Sequence, residues 1–326
     1  MKILLVRLSS MGDLIHTLPA VDDLSRFCPD VEIHWLSEAG FADIARLHPF
    51  VKKVHTMRWR QWRKQLAKKE TRQEISRLKA ALQQEHYDFV LDSQGLLKSA
   101  LFAKMAAVPI YGLDKASARE SMVAWFYQRT YAVPKGKSAV WRNRALFAQV
   151  FDYALPEALH FGLQVPQAGR LNDLRKPYCV ALHATSRDSK LWPVAHWVEL
   201  LKTLHAEQGC TAYLPWGNES ERQRAQQIAS GLPFAVVCDK MNLLQAAYLL
   251  QHAKAVIGVD TGLLHLANAL DVPVVGIFTD TDPVKTGVQT SAWAQNIGNA
   301  GQIPAVDKVY RLLSACMAAK DAAKAE

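Results

Sequence analysis

A chain of 326 residues exceeds one ordinary core and suits two domains of about 150 residues each. Half of its residues are hydrophobic and 21% are charged, a balance that buries a sizeable core and argues against disorder. Five scattered cysteines without a C-x-x-C pair argue against a disulfide or zinc framework. No apolar run approaches the ~18 residues of a membrane span and the N-terminus lacks a signal-peptide pattern, so a cytoplasmic location is expected.

The net charge of +9 is local. Between positions 52 and 79 stand eleven Lys or Arg residues against Glu70 and Glu74, which leaves the rest of the chain near neutral. An excess so confined points to an anionic partner facing one region. Its centre, "RWRQWRK" (58–64), interleaves aromatic and basic residues. That pattern reads as a solvated helix face with its tryptophans turned inward, or as a surface for the phosphates of single-stranded nucleic acid or of lipid at a membrane.

In chain order, an apolar run at 3–8 leads into "SSMGDLIHTLP" (9–19). Asp13 there is either a helix N-cap or a functional carboxylate, because ligands of open α/β sheets lie at the carboxyl ends of the strands. Strand-like runs follow at 31–36, 51–57, 88–93 and 108–113, with helical periodicity such as 96–106 between them. This alternation predicts a parallel sheet covered on both faces. Further helical stretches are read at 118–127 and 141–151. The Gly-, Pro- and polar-rich segment 161–177 interrupts the pattern, so the domains are placed at 1–165 and 166–326.

The alternation restarts at 178–186, with strands at 211–217, 234–239, 255–260 and 273–278 and helices at 196–205, 219–228 and 243–252. Two α/β domains in tandem imply a cleft between two sets of strand ends. The helical stretch 307–319 is a candidate to pack back onto the first domain.

The second half carries sharper chemistry. In "VDTGLLHLANAL" (259–270) a strand ends at Asp260, Thr261 and Gly262 turn, and a helix begins with Leu263 and His265 in its first turn. Backbone N–H groups at a helix start suit phosphate; the plain alternative is a Thr-capped core helix. "HATSRDSKLWP" (183–193) offers Thr185, Ser186, Arg187 and Lys190 after a strand end, again suited to an anion, although its composition is also that of a surface loop. "PWGNESERQRA" (215–225) puts Glu219 and Glu221 at a helix start, Glu219 for the dipole and Glu221 for either the dipole or a ribose.

"SSMGDLIHTLP", "HATSRDSKLWP" and "VDTGLLHLANAL" together resemble the ADP-heptose:lipopolysaccharide heptosyltransferase family over nearly the whole chain. "LDSQGLLKSALFAK" (91–104) and "RWRQWRK" look more like the members that add the first heptose. The resemblance implies a GT-B fold of two tandem Rossmann-like α/β domains with a cleft between them, the first binding the acceptor and the second the donor. It implies an inverting transferase without metal or cofactor that moves L-glycero-D-manno-heptose from ADP-heptose to Kdo of Kdo2-lipid A. The enzyme would work peripherally at the cytoplasmic face of the inner membrane, against an anionic surface and without nucleic acid.

By the same resemblance Asp13 falls on the catalytic base and Lys190 on the contact to donor phosphate and ribose. Thr185, Ser186, Asp260, Thr261, Gly262, Leu263 and His265 fall on the donor side, with Glu221 at the ribose and Met241 near the adenine. Ser10, Gly12, Arg60, Arg63, Lys64, Gln94, Lys98 and Arg119 are the acceptor-side candidates. The segment 278–283 departs from the family pattern and is left out of the site, as is the D-x-D spacing of Asp280 and Asp282 as a metal motif.

The implied chemistry fits the residues. A sugar nucleotide carries its own leaving group, so inversion needs one base and a means of stabilising charge on the departing diphosphate. The alternatives are a transferase for a later heptose, a GT-B nucleotide-sugar epimerase, a nicotinamide dehydrogenase and a nucleic-acid binder. The first βα turn lacks the G-x-G-x-x-G of a dehydrogenase, and nucleic-acid binding leaves the loops of the second half unexplained.

Overall fold

Runs of Val, Ile and Leu without alternation suit strands covered on both faces. In the computed structural model, which describes residues 1–325, those runs form two all-parallel six-stranded sheets. The first holds β1 (Lys2–Val6), β2 (Glu32–Glu38), β3 (Val51–Met57), β4 (Phe89–Asp92), β5 (Ile110–Leu113) and β6 (Arg129–Tyr131), in the order β3-β2-β1-β4-β5-β6. The second holds β7 (Tyr178–Leu182), β8 (Thr211–Leu214), β9 (Ala235–Val237), β10 (Ala255–Val259), β11 (Val274–Phe278) and β12 (Ala294–Gly298), in the order β9-β8-β7-β10-β11-β12. Each therefore has the 3-2-1-4-5-6 order of a doubly wound nucleotide-binding sheet. The strand order reverses between β1 and β4 in one and between β7 and β10 in the other, and at such a point the strand ends leave a crevice for ligands.

Contacts divide the chain into two compact units, Met1–Gln164 and the residues from Val165 onward. In the first, Ile3, Leu4, Leu5 and Val6 of β1 are wholly buried, as a central strand requires. In the second, Trp192, Trp197, Leu200 and Leu204 pack with Ile257, Val275 and Ile277. At Gly258 a Cβ would stand 2.9 Å from the Leu182 Cβ and 3.1 Å from Leu264, so β10 needs glycine to seat the helix Gly262–Ala269 beside it.

The structure departs from the sequence reading at two places along the chain. The stretch read as a helix at 118–127 is instead a 3-10 turn, Ser121–Phe126, leading into β6. There Met122 and Trp125 point to solvent, and Gln128 ties the chain to β5 by donating from its N–H to Ile110 O at 2.8 Å and accepting from Ile110 N at 2.6 Å. β12 was not anticipated, because "AQNIG" has the polar composition of an edge. The C-terminal helix Val306–Ala325 buries Val309, Leu313, Cys316 and Met317 in the core of the second unit. Among the described residues no helix is long and apolar enough to cross a membrane.

Candidate active site

The first unit places its polar loops after β1 and β4, at its reversal point. The turn 9–13 opens the short helix Met11–Ile15, whose N-cap is Ser10 rather than Asp13. Asp13 stands three positions later and reaches back, so that its Oδ2 accepts the Ser10 backbone N–H at 2.7 Å and the Ser10 hydroxyl at 3.0 Å. This is the reciprocal arrangement of a capping box. Oδ1 takes no part in those two bonds and faces Arg7 Nη2 at 3.8 Å. Burial pushes the Asp13 carboxyl upward, but the Arg7 charge and the Ser10 hydrogen bonds outweigh it and hold the group below its ordinary value. Asp13 is therefore an ionised proton acceptor at neutral pH.

A second loop fixes this turn. Gln94 accepts the Leu8 N–H on Oε1 at 2.7 Å and donates from Nε2 to Ser9 O at 3.1 Å. Gln94 is itself set by Asp92, whose Oδ1 accepts the Gln94 N–H at 3.0 Å while Oδ2 accepts from the Ser99 and Tyr127 hydroxyls at 2.7 and 2.9 Å. Asp13, Gln94 and Arg119 line a cavity of about 180 Å³ together with Arg7, Arg142 and Asn143. Arg7 is buried and donates to Ser93 O; Arg142 donates to Ser117 O at 2.7 Å. Three guanidiniums around one carboxylate suit an anionic ligand that carries a hydroxyl.

The other acceptor-side candidates lie outside that lining. Ser10 and Gly12 belong to the Asp13 turn itself. Arg60, Arg63 and Lys64 are exposed, whereas Trp62 is buried and donates to Glu74 at 2.6 Å and Trp59 packs edge-on to Phe102 at 5.7 Å. The tryptophans of "RWRQWRK" thus face inward and the cations face solvent. Burial lowers the Lys98 pKa, Glu38 opposes this, and the Arg60 and Arg63 charges lower it further, which marks these three cations as neighbours.

In the second unit the loops after β7, β10 and β11 meet at the other reversal point. Lys190 Nζ donates to Asp260 Oδ2 at 2.5 Å, the Thr281 hydroxyl donates to the same oxygen at 2.9 Å, and the Thr185 hydroxyl donates to Asp260 O at 2.7 Å. Asp260 and Lys190 are both largely buried. Arg224 straps the loop 183–193 from beneath, donating to His183 O at 3.1 Å and to Trp192 O. Thr261 is the N-cap residue of Gly262–Ala269, yet its side chain makes no cap hydrogen bond, so the first N–H groups of that helix are not capped by it. His265 is buried in the same first turn. A cation beside the start of a helix suits a diphosphate through both charge and directed N–H groups.

The remaining donor-side candidates are more peripheral. Glu221 is tied into the helix start: its Oε2 accepts the Gly217 N–H at 2.7 Å, its Oε1 accepts from Asn218 Nδ2 at 2.8 Å, and its own N–H donates to Asn218 Oδ1 at 3.0 Å. A ribose there would share an oxygen already engaged. Met241 directly precedes Asn242, the N-cap of Leu243–Gln251, and Ser186 is exposed.

The segment 278–283, left out on sequence, belongs to this cluster. Besides Thr281, Thr279 donates to Ser189 O at 3.0 Å and Ser189 donates to Asp280 Oδ2 at 2.7 Å, while Asp282 caps Val284 N at 2.9 Å. In the first unit Arg7, Arg142 and Asn143 were missed as well. Arg7 sits inside an apolar strand run, which was its available signal; nothing local marks the other two.

Two doubly wound sheets, one with a carboxylate in a basic cavity and the other with a lysine beside an open helix start, fit the class of GT-B enzymes that act on sugar nucleotides. The pattern of glycosyltransferase family 9 (heptosyltransferase) matches residues 75–313. Lipopolysaccharide heptosyltransferase 1 of Pseudomonas aeruginosa is 45% identical over 88% of this chain and 81% of its own length, and that of Escherichia coli is 41% identical over 87% and 89%. The solved structure of E. coli heptosyltransferase WaaC with ADP has a TM-score of 0.90 at 35% identity, over 97% of this chain and 100% of that one. WaaC with ADP-2-deoxy-2-fluoro heptose has a TM-score of 0.86 at 36% identity, over 96% and 99%. The chain belongs to glycosyltransferase family 9, the heptosyltransferases.

Proposed function

We propose that this protein adds the first heptose of the lipopolysaccharide inner core, transferring L-glycero-D-manno-heptose from ADP-heptose to a Kdo hydroxyl of Kdo2-lipid A at the cytoplasmic face of the inner membrane. The observation that carries the acceptor side of this reading is Asp13 in the wall of a cavity with Arg7, Arg119 and Arg142. An acidic sugar presents the carboxylate such arginines bind and the hydroxyl such a base deprotonates.

In the proposed step Asp13 takes the proton as the acceptor oxygen bonds to the anomeric carbon, the bond from that carbon to the diphosphate breaks, and ADP departs with the electron pair. Attack opposite the leaving group inverts the anomeric centre. Lys190 and the N–H groups at the start of Gly262–Ala269 take up the charge developing on ADP, which is the work a divalent ion does in other transferases. Leaving the Asp13 pKa depressed favours a base ionised before the substrates arrive. No cofactor enters this scheme.

The test is to incubate purified protein with ADP-heptose and Kdo2-lipid A, with and without excess EDTA, and to follow the lipid by mass spectrometry. Gain of one heptosyl residue in both samples is expected. Transfer only to an acceptor already carrying heptose would assign the protein to a later step, and loss in EDTA restored by magnesium would overturn the metal-free scheme.

A further inference from the structure

Three large apolar side chains of the first unit stand in solvent on adjoining elements. Leu101, on the helix Leu97–Ala103, is 57% exposed; Met122 and Trp125, on the turn Ser121–Phe126, are 51% and 74% exposed. The helix and the turn pack against each other, and Lys104 at the end of the helix holds its Nζ 4.7 Å from the centre of the Phe126 ring. Lys98, Leu101 and Lys104 follow one another at intervals of three, along one side of the helix. On its other side Phe102 receives the rings of Trp59 and Trp62, at 5.7 and 6.4 Å, which brings Arg60 and Arg63 beside Lys98.

The nearby carboxylates are turned to the backbone. Glu120 accepts the Leu97 N–H at 2.6 Å and Glu38 accepts the Arg60 N–H at 3.2 Å. What remains outward is an apolar ridge bordered by cations. A tryptophan settles at the headgroup level of a bilayer, short apolar side chains enter the acyl boundary, and lysine and arginine meet anionic lipid phosphates. A protein partner would instead have to supply an acidic groove shaped to the ridge.

We propose that Leu101, Met122 and Trp125, bordered by Arg63, Lys98 and Lys104, dock this protein directly on an anionic lipid surface. The inference deepens the proposed function, on which it rests for the reason that a lipid-linked acceptor would be met there. Lipid binding is nevertheless measurable without donor or acceptor, so the two can fail separately.

The probe is co-sedimentation of the full chain with vesicles of phosphatidylethanolamine and phosphatidylglycerol at about 3:1, against phosphatidylethanolamine alone. Wild type should prefer the anionic vesicles. Met122→Ser with Trp125→Ser should weaken that partition by about tenfold or more, because the apolar surface buried in the interface is lost. Both side chains are exposed, so the thermal midpoint should hold, and turnover on a water-soluble Kdo acceptor should stay at the wild-type level. Vesicle loss in a protein that transfers no heptose would still support docking while removing the function proposed above. Wild-type partition by the double variant, or no preference for anionic vesicles, would overturn the proposal. So would a wild-type self-association abolished by the two substitutions while vesicle binding is unchanged, since the ridge would then be an interface between copies.

Discussion

Lys190 and Asp260, seventy residues apart in the chain, meet at the reversal point of the second sheet with Nζ 2.5 Å from Oδ2. The pair sits beside the start of Gly262–Ala269 and shares its carboxylate oxygen with Thr281. On the function proposed above, a lysine held this way is pre-positioned for the donor diphosphate.

We expect Lys190→Ala to weaken ADP binding by roughly 10- to 150-fold, the equivalent of a charge-assisted contact of about 1.5–3 kcal/mol, and to lower turnover with it. Asp260→Asn, which keeps the lysine charge, should weaken ADP binding less. Calorimetric titration with ADP ranks the two, and an unchanged affinity in Lys190→Ala removes Lys190 from the donor side.

Asp13→Asn separates the cap from the base. Asparagine retains an oxygen for the Ser10 N–H, so the thermal midpoint should move little, whereas it cannot hold the proton and turnover should fall by ~10²–10⁴. Because the Arg7 charge and the Ser10 bonds keep the wild-type carboxyl ionised, its contribution to activity should be complete at neutral pH and disappear only as pH falls through its depressed value. Near-native turnover in a folded Asp13→Asn protein would return the residue to a capping role.

Gln94 is a positioning residue, acting through the Asp13 turn. Gln94→Ala removes the bonds to Leu8 N and Ser9 O, a loss of about 1–3 kcal/mol if both groups stay unpaired. Turnover should drop while the KM for ADP-heptose, which the proposed function assigns to the other unit, stays near wild type. Unchanged turnover, or turnover lost only in step with the folded fraction measured by circular dichroism, would remove the positioning role.

Two buried histidines contribute to the acid limb of stability. Burial, aided by Lys53, lowers His55 to about 4, and burial, aided by Arg224, lowers His183 to about 4. Both are neutral in the native protein, and the unfolded chain binds their protons first, near the ordinary value of 6.5. Their stabilisation is therefore complete above about pH 6.5 and is lost as pH falls towards 4. His183→Leu, which removes the titrating group from a buried position, should flatten the fall of the thermal midpoint over that range by about one proton's worth of slope. An unchanged slope would show that His183 does not contribute.

What the sequence determined by itself was everything carried by neighbours in the chain. Unbroken apolar runs marked the central strands, and short polar turns after β1, β7 and β10 marked where Asp13, Lys190 and Asp260 stand, because burial on two faces and helix starts both leave local traces. What only the tertiary structure decided was which distant groups meet. Asp13 was read as a possible N-cap, yet Ser10 holds that place, since the reciprocal bonds depend on the three-dimensional turn. β6 and β12 exist because β5 and β11 offer them hydrogen-bonding edges, which no periodicity within "RTY" or "AQNIG" reports. Thr281 enters the Lys190 and Asp260 cluster from a segment left out of the site on sequence, and Arg142 enters the Asp13 cavity from one with no chemical motif of its own. Periodicity records whether a residue is buried, while a site depends on partners brought close by strand order, and that order is settled only when the sheets are built.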